Sequence, residues 1–144
     1  PMEEVTFEEM MEQLDIPRRA AAPPVPVCYG GPVELRRGFV LHSSDYRPRG
    51  EEALRIDHRF AMTGTLDILE DIAASRGPRR SLLALGYTGW GPGQLDEEIQ
   101  RNDWLTADAT PELVFDAEMG RKRDGALESL GINPLMLSSE AGHA

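Results

Sequence analysis

The stretch Leu82–Leu105, LLALGYTGWGPGQLDEEIQRNDWL, decides the fold. Leu82, Leu83, Ala84 and Leu85 form a short apolar run, the pattern of a strand buried on both faces. Gly86, Gly89, Gly91 and Gly93 then break the chain, with Trp90 and Pro92 among them. Gln94–Arg101 lacks Gly and Pro, and Leu95 and Ile99 stand at the i,i+4 spacing of a helix face. Asn102 punctuates the helix end, and Trp104–Thr106 reads as a further extended segment. Both Trp residues flank this one helix.

Outward from that stretch, short strands alternate with short helices. Thr6-Phe7-Glu8-Glu9 reads as a capping box, and Phe7, Met10, Met11 and Leu14 fall on one helical face that ends at Ile16-Pro17. Arg18–Pro26 reads as a surface loop. Val27-Cys28-Tyr29 is a short strand, Gly30-Gly31-Pro32 a turn, and Gly38–Ser43 a second strand. Ala53–Asp57 and Arg59–Met62 are two more strands around an Asp57-His58 turn. Thr65 caps a helix over Leu66–Ser75 whose apolar face carries Leu66, Leu69, Ile72 and Ala73, and Gly77-Pro78 stops it. Thr110-Pro111 opens a short helix through Phe115, and Arg121–Leu130 forms another, ended by Gly131. The expected fold class is α+β (mixed α/β): one domain over residues 1–137, with a curved mixed or antiparallel sheet, or a pseudo-barrel, flanked by helices. Residues 138–144 are expected to fray.

The motif GYTGWGPGQLDEEI followed by NDWL resembles the signature of the AlgH/YqgE family of bacterial proteins. Gly30-Gly31-Pro32-Val33, Arg37-Gly38-Phe39-Val40-Leu41-His42, Pro111–Asp116 and Ser129–Ile132 agree with it in order and spacing, so the resemblance reaches about Leu137. It implies a mixed α/β domain in the cytosol and carries a transcriptional-regulator label without a demonstrated mechanism. It also implies a strand-rich segment before the position of Pro1. The chain is therefore expected to lack its N-terminal strands, leave a sheet edge unpaired near Met2–Val5, and be open to self-association there.

The 144 residues are enough for a real core, and 40% hydrophobic against 28% charged residues is a globular balance. A formal charge of −10 opposes general binding to nucleic acid or anionic membranes, which needs a positive field. Cys28 is the single cysteine, so no intramolecular disulfide forms, in keeping with a reducing compartment. No apolar run approaches membrane-spanning length. Taken with the resemblance, the expected location is the cytoplasm.

Candidate chemistry is sparse. Gly89-Trp90-Gly91-Pro92-Gly93 joins strand to helix as phosphate loops do, yet it matches neither the dinucleotide nor the P-loop fingerprint. Asp96, Glu97 and Glu98 at the helix start would repel a phosphate. His42 with Ser43, Ser44 and Asp45 suggests a triad, but adjacent strand residues face opposite ways and no nucleophile elbow is present. A structural His42 bonded to a carbonyl is the plainer reading. His42, His58 and His143 lack close-paired ligand spacing, and no metal or cofactor is expected. Cys28 reads as a buried, inert thiol, and Arg121-Lys122-Arg123 as a solvated helix face.

Two functions remain. One is a binding or regulatory protein that acts through a protein or small-molecule partner. The other is a small enzyme built around the Gly89–Gly93 loop and His42. In the binding reading Gly30, Gly31, Arg37, His42, Gly89, Trp90 and Gln94 line one concave surface, with Trp90 as apolar wall. The four glycines beside Trp90 are expected to let backbone approach another strand or a ligand closely. Direct DNA binding should be absent, or weak and non-specific, at physiological salt. Fluorescence anisotropy with duplex DNA checks this, and tight sequence-selective binding would contradict it.

Overall fold

The structure, a computed structural model, describes residues 6–17, 25–48, 53–116, 118–133 and 135. Residues 1–5, 18–24 and 138–144, on which the expected sheet-edge start, most of the loop and the frayed tail fall, lie outside the described residues. The chain gathers into two compact units, Pro1–Thr88 and Gly89–Ala144.

The first unit holds the sheet. Helix α1 (Phe7–Gln13) begins with the expected capping box: the Thr6 hydroxyl accepts the Glu9 N–H at 3.2 Å, and the Glu9 carboxylate accepts the Thr6 N–H at 3.4 Å. The strands are β1 (Val27–Tyr29), β2 (Val33–Ser43), β3 (Leu54–Arg55), β4 (Phe60–Thr63) and, after helix α2 (Leu66–Ala73), β5 (Ser81–Tyr87). They form one open mixed sheet in the order β1-β5-β2-β4-β3. Among the described residues, only the β1–β5 pair is parallel. The short chain between β3 and β4 is an Asx turn, in which Asp57 accepts the N–H groups of Arg59 at 2.7 Å and Phe60 at 3.0 Å.

Strand β5 is buried on both faces, as its apolar run requires: Leu82 and Leu83 point to opposite sides and both are buried. Leu83 stands opposite Val40 of β2, and α1 and α2 pack over this pair with Phe7, Met11, Ile68, Leu69 and Ile72. Each of the fully buried isoleucines contributes on the order of 2 kcal/mol from area removed from water. Asp71, on the same helix, is buried too. It accepts the Tyr46 hydroxyl at 2.5 Å and meets the Arg76 guanidinium at 3.6 Å.

The second unit contains α3 (Gln94–Gln100), a π-helical turn at Glu112–Asp116, a 3-10 turn at Met119–Arg121 and α4 (Lys122–Ser129). The Thr110 hydroxyl accepts the Leu113 N–H at 3.2 Å, the cap expected of Thr110-Pro111. Lys122 donates to the carbonyls of Leu113 and Val114, so part of the basic run serves this turn and is not simply solvated. Gly131, at φ +76°, follows α4 as a left-handed terminator.

Three expectations change. Strand β2 starts at Val33, not Gly38, because the Val33–Arg37 segment leaves the β5 ladder and returns to it. Trp104–Thr106 is not a strand, and its Trp104 indole N–H is spent on a side chain. The close backbone approach expected of the four glycines holds at Gly86, where a Cβ would overlap the Gly31 carbonyl, and not at the three that follow. Among the described residues, a Cβ at Gly89 or Gly93 would meet nothing within 4 Å, and Gly93 is required instead by its φ of +75°. A Cβ at Gly30 would overlap the Gly86 carbonyl, and one at Gly31 the Tyr87 carbonyl and the Thr88 hydroxyl. Gly31→Ala should therefore cost about 2 kcal/mol or more. Gly89→Ala should change stability by less than about 0.5 kcal/mol. Urea denaturation of the two variants measures the contrast.

Candidate functional site

Strand alternation and the β2–β5 register place the expected site residues of the first unit. The Gly30 N–H donates to the Leu85 carbonyl at 2.8 Å, so the Gly30-Gly31 turn lies beside the C-terminal end of β5. His42 stands opposite Ser81, at the other end. Four residues of strand separate the two levels, roughly 13 Å. The structure does not bring His42 to the Gly30-Gly31 turn.

His42 is 0% exposed. Its Nδ1 lies 2.7 Å from the Ser43 carbonyl oxygen, which can only accept, so Nδ1 carries the proton. Its Nε2 lies 2.9 Å from the Thr63 hydroxyl, which then donates to it. The Tyr46 ring packs edge-on at 5.6 Å. Burial lowers the His42 pKa below its ordinary 6.5, against smaller raising effects from the Ser43 carbonyl and the Asp45 charge. Ser43 does not approach His42 as a nucleophile. Its hydroxyl donates to Asp45 and accepts the Arg80 N–H, while Asp45 also accepts the Arg79 N–H. Burial raises the Asp45 pKa, but the Ser43 and backbone hydrogen bonds outweigh it and hold the group below its usual value. Ser43 and Asp45 therefore brace the end of β2 against the segment that leads into β5, while His42 ties it to Thr63 of β4.

At the other end of β2, Arg37 is exposed. It meets Glu34 at 3.5 Å and lies over the Phe39 ring at 5.0 Å. The register slips here: Val33 pairs with Tyr87 and Gly38 with Leu85, so β2 spends five residue steps where β5 spends two. The extra residues form an arch, and Glu34 within it has φ +47°, a left-handed conformation that costs a non-glycine residue about 1 kcal/mol. Beneath the arch, α1, α2 and the Val40–Leu83 face of the sheet enclose a groove of about 500 Å³. Leu14, Leu35 and Leu66 line it while remaining largely exposed, with Leu69 and Leu85 deeper. Arg36 and Arg37 also border it. The sequence placed Leu14 and Leu66 on apolar helix faces, which was the signal for this groove, but it did not show that those faces stay partly uncovered.

Gly89, Trp90 and Gln94 belong to the second unit, where Trp90 and Gln94 assemble around Glu98. Both indole N–H groups donate to Glu98 Oε2, Trp104 at 2.6 Å and Trp90 at 3.1 Å. The Gln94 amide donates to Glu98 Oε1 at 3.0 Å and accepts the Gly91 N–H at 2.9 Å. These donors, Trp104 first, hold the Glu98 carboxyl below its ordinary pKa. The two rings meet edge-to-face at 6.0 Å. The i,i+4 spacing of Gln94 and Glu98 was legible in the sequence, whereas the convergence of both tryptophans on Glu98 was not. Cys28 is half-buried in β1. Among the described residues no three His, Cys, Asp or Glu side chains group as a metal site would need. No helix of the described residues is long and apolar enough to cross a membrane.

The fold is that of a small mixed α/β protein on an open five-stranded sheet. Within that class, the chain belongs to the AlgH-like family (DUF179), whose model matches residues 1–135. It is 80% identical over 144 residues to a UPF0301 protein of Jannaschia sp. (strain CCS1), covering all of this chain and 75% of that one. It is 54% identical, again over its full length, to a UPF0301 protein of Cereibacter sphaeroides (strain ATCC 17029 / ATH 2.4.9), of which it covers 78%. Among solved structures, it is similar to the solution structure of the AlgH protein from Pseudomonas aeruginosa, with a TM-score of 0.69 and 39% identity over 97% of this chain and 74% of that one.

The buried His42 has a pH signature. Unfolded, the imidazole takes up a proton near 6.5; folded, it resists protonation to lower pH. The unfolded state thus binds more protons below 6.5, and stability falls as pH falls. Between pH 7.5 and 5.5 the loss should not exceed about 1.4 kcal/mol, the linkage of one unit below the unfolded value. Urea midpoints should show this drop in the wild type and a smaller one in His42→Gln. Asp45 and Glu98 titrate below this window.

Proposed function

We propose that this chain is a cytosolic binding protein with a regulatory role, acting through a protein or small-molecule partner and not by direct contact with DNA. The groove of the first unit is its binding seat. The observation that carries the reading is the contrast between the two ends of β2. At one end, His42 has both ring nitrogens engaged by protein groups and no exposed surface, so it is poorly placed for acid–base work on a ligand. At the other, three leucines remain uncovered around a cavity of a size that suits small ligands and short apolar segments. The net charge of −10 supports a route to transcription that runs through a partner. The single cysteine suits a reducing compartment.

The test is a ligand-observed NMR screen of neutral, anionic and cationic apolar compounds and short apolar peptides. Wild type and Leu66→Asp are compared. Leu66 is 55% exposed and opens α2, where an acidic side chain is tolerated, so the variant should melt like the wild type. Ligands that bind the wild type and are lost with Leu66→Asp fit a binding protein. Absence of any such ligand, or turnover of a bound compound that His42→Gln abolishes, would overturn the reading.

A further inference from the structure

The groove has a chemical polarity, and on the reading of it as a binding seat this selects a ligand class. Its inner wall is aliphatic, from Leu69, Leu85 and the uncovered leucines. Its mouth is cationic. Arg36 and Arg37 both border the groove at the arch. Arg37 has Glu34 and the Phe39 ring as partners, whereas Arg36 has no acidic partner among the described residues. In a chain of net charge −10, an arginine with no counter-ion among the described residues stands on the rim of an apolar cavity. A second donor set lies at the start of α2. Thr65 has the extended backbone of an N-cap, yet its hydroxyl makes no capping bond and finds no hydrogen-bond partner among the described residues. Thr65 thus leaves the first-turn N–H groups of this helix without a side-chain cap among the described residues, and Gly64, Thr65 and Leu66 border the same groove. Asp67, in that first turn, does not line it.

The geometry points to a site for a soluble amphipathic carboxylate, an acyl-type anion whose chain lies against Leu14, Leu35 and Leu66. Its carboxylate meets Arg36 and the uncapped start of α2. Charge complementarity is the argument for this occupant over a neutral apolar one, because an anionic head gains a charge-assisted bond to Arg36 at the rim that a neutral one does not. The arch is what delivers the arginine. Without the three additional residues between Val33 and Gly38, β2 would follow β5 in register and Arg36 would sit in the ladder.

The test titrates the full chain with decanoate, decanol and decyltrimethylammonium below their micellar concentrations, followed by ¹⁵N-resolved NMR and calorimetry. Decanoate should bind at least about tenfold tighter than the other two, with shifts centred on Leu35, Arg36 and Thr65–Leu66. Arg36→Gln should weaken decanoate about tenfold and leave decanol unchanged. Leu66→Asp should abolish both, and Arg123→Gln, on the second unit, should change neither. Equal affinity for decanol and decanoate would overturn the anion assignment while leaving the groove a binding seat. Loss of all binding to the groove would sink the function proposed above as well. Two further outcomes would overturn the carboxylate site: sedimentation showing a dimer broken by Leu66→Asp, or binding to phosphatidylglycerol vesicles without binding to free decanoate.

Discussion

The pairing of β2 with β5 is the constraint on which the rest of the first unit depends. β5 is hydrogen-bonded on both sides, by β1 in parallel and by β2 in antiparallel register, so neither neighbour can slide without exposing its apolar run. From Gly38 opposite Leu85 to His42 opposite Ser81 the ladder is regular. That regular half fixes Val40 against Leu83 and so fixes the face on which α1 and α2 settle. Beyond Gly38 the register breaks and the strand arches. One end of β2 is therefore held in the regular ladder beside the buried His42, and the other arches away from β5, a division set by backbone pairing before any side-chain chemistry.

Much of this was legible where a single local pattern sufficed. The run Leu82–Leu85 can be little other than a buried strand, and Thr6 with Glu9 specifies a helix start by two reciprocal hydrogen bonds within four residues. The start of β2 was not legible. Glu34, Arg36 and Arg37 carry no apolar alternation, and they form strand only because the arch rejoins a partner that lies some fifty residues later. His42 shows both sides of this limit. Its bond to a neighbouring carbonyl follows from local geometry, while its complete burial depends on Thr63, 21 residues away. The glycines were harder still. A φ of +75° at Gly93 and backbone crowding at Gly31 look alike in sequence, because in both cases the residue is defined by what it lacks.

The second unit holds its motif by a different means. No residue of α3 is buried, so area removed from water does little to fix this short helix. Its order comes from hydrogen bonds that converge on Glu98: two indole N–H groups and one amide satisfy a carboxylate that would otherwise need water, and the Gln94 oxygen ties the Gly91 backbone to the same network. A Trp can serve this role because its ring supplies contact area while its single donor fixes direction. The acidic run Asp96-Glu97-Glu98 thus splits into two uses. The first two residues complement the helix start, and the third organises the tryptophans.

The groove follows from a mismatch of lengths. β2 has eleven residues and spans roughly 36 Å if extended, whereas α1 and α2, of seven and eight residues, are each only about 10–12 Å long. Two such helices cannot cover one face of the strand along its whole length. They cover the part where Val40 and Leu83 make the core, since burying those side chains gains the most. What remains uncovered is the stretch toward Leu35, the end where the register breaks. An uncovered apolar face would ordinarily favour closure by shifting a helix along the sheet. Such a shift would break the bond from the Tyr46 hydroxyl to Asp71 of α2, and the segment after α2 is tied by the Arg79 and Arg80 N–H groups to Asp45 and Ser43. The bonded end of β2 and its uncovered end are thus opposite ends of one strand, divided at Gly38, where the register breaks.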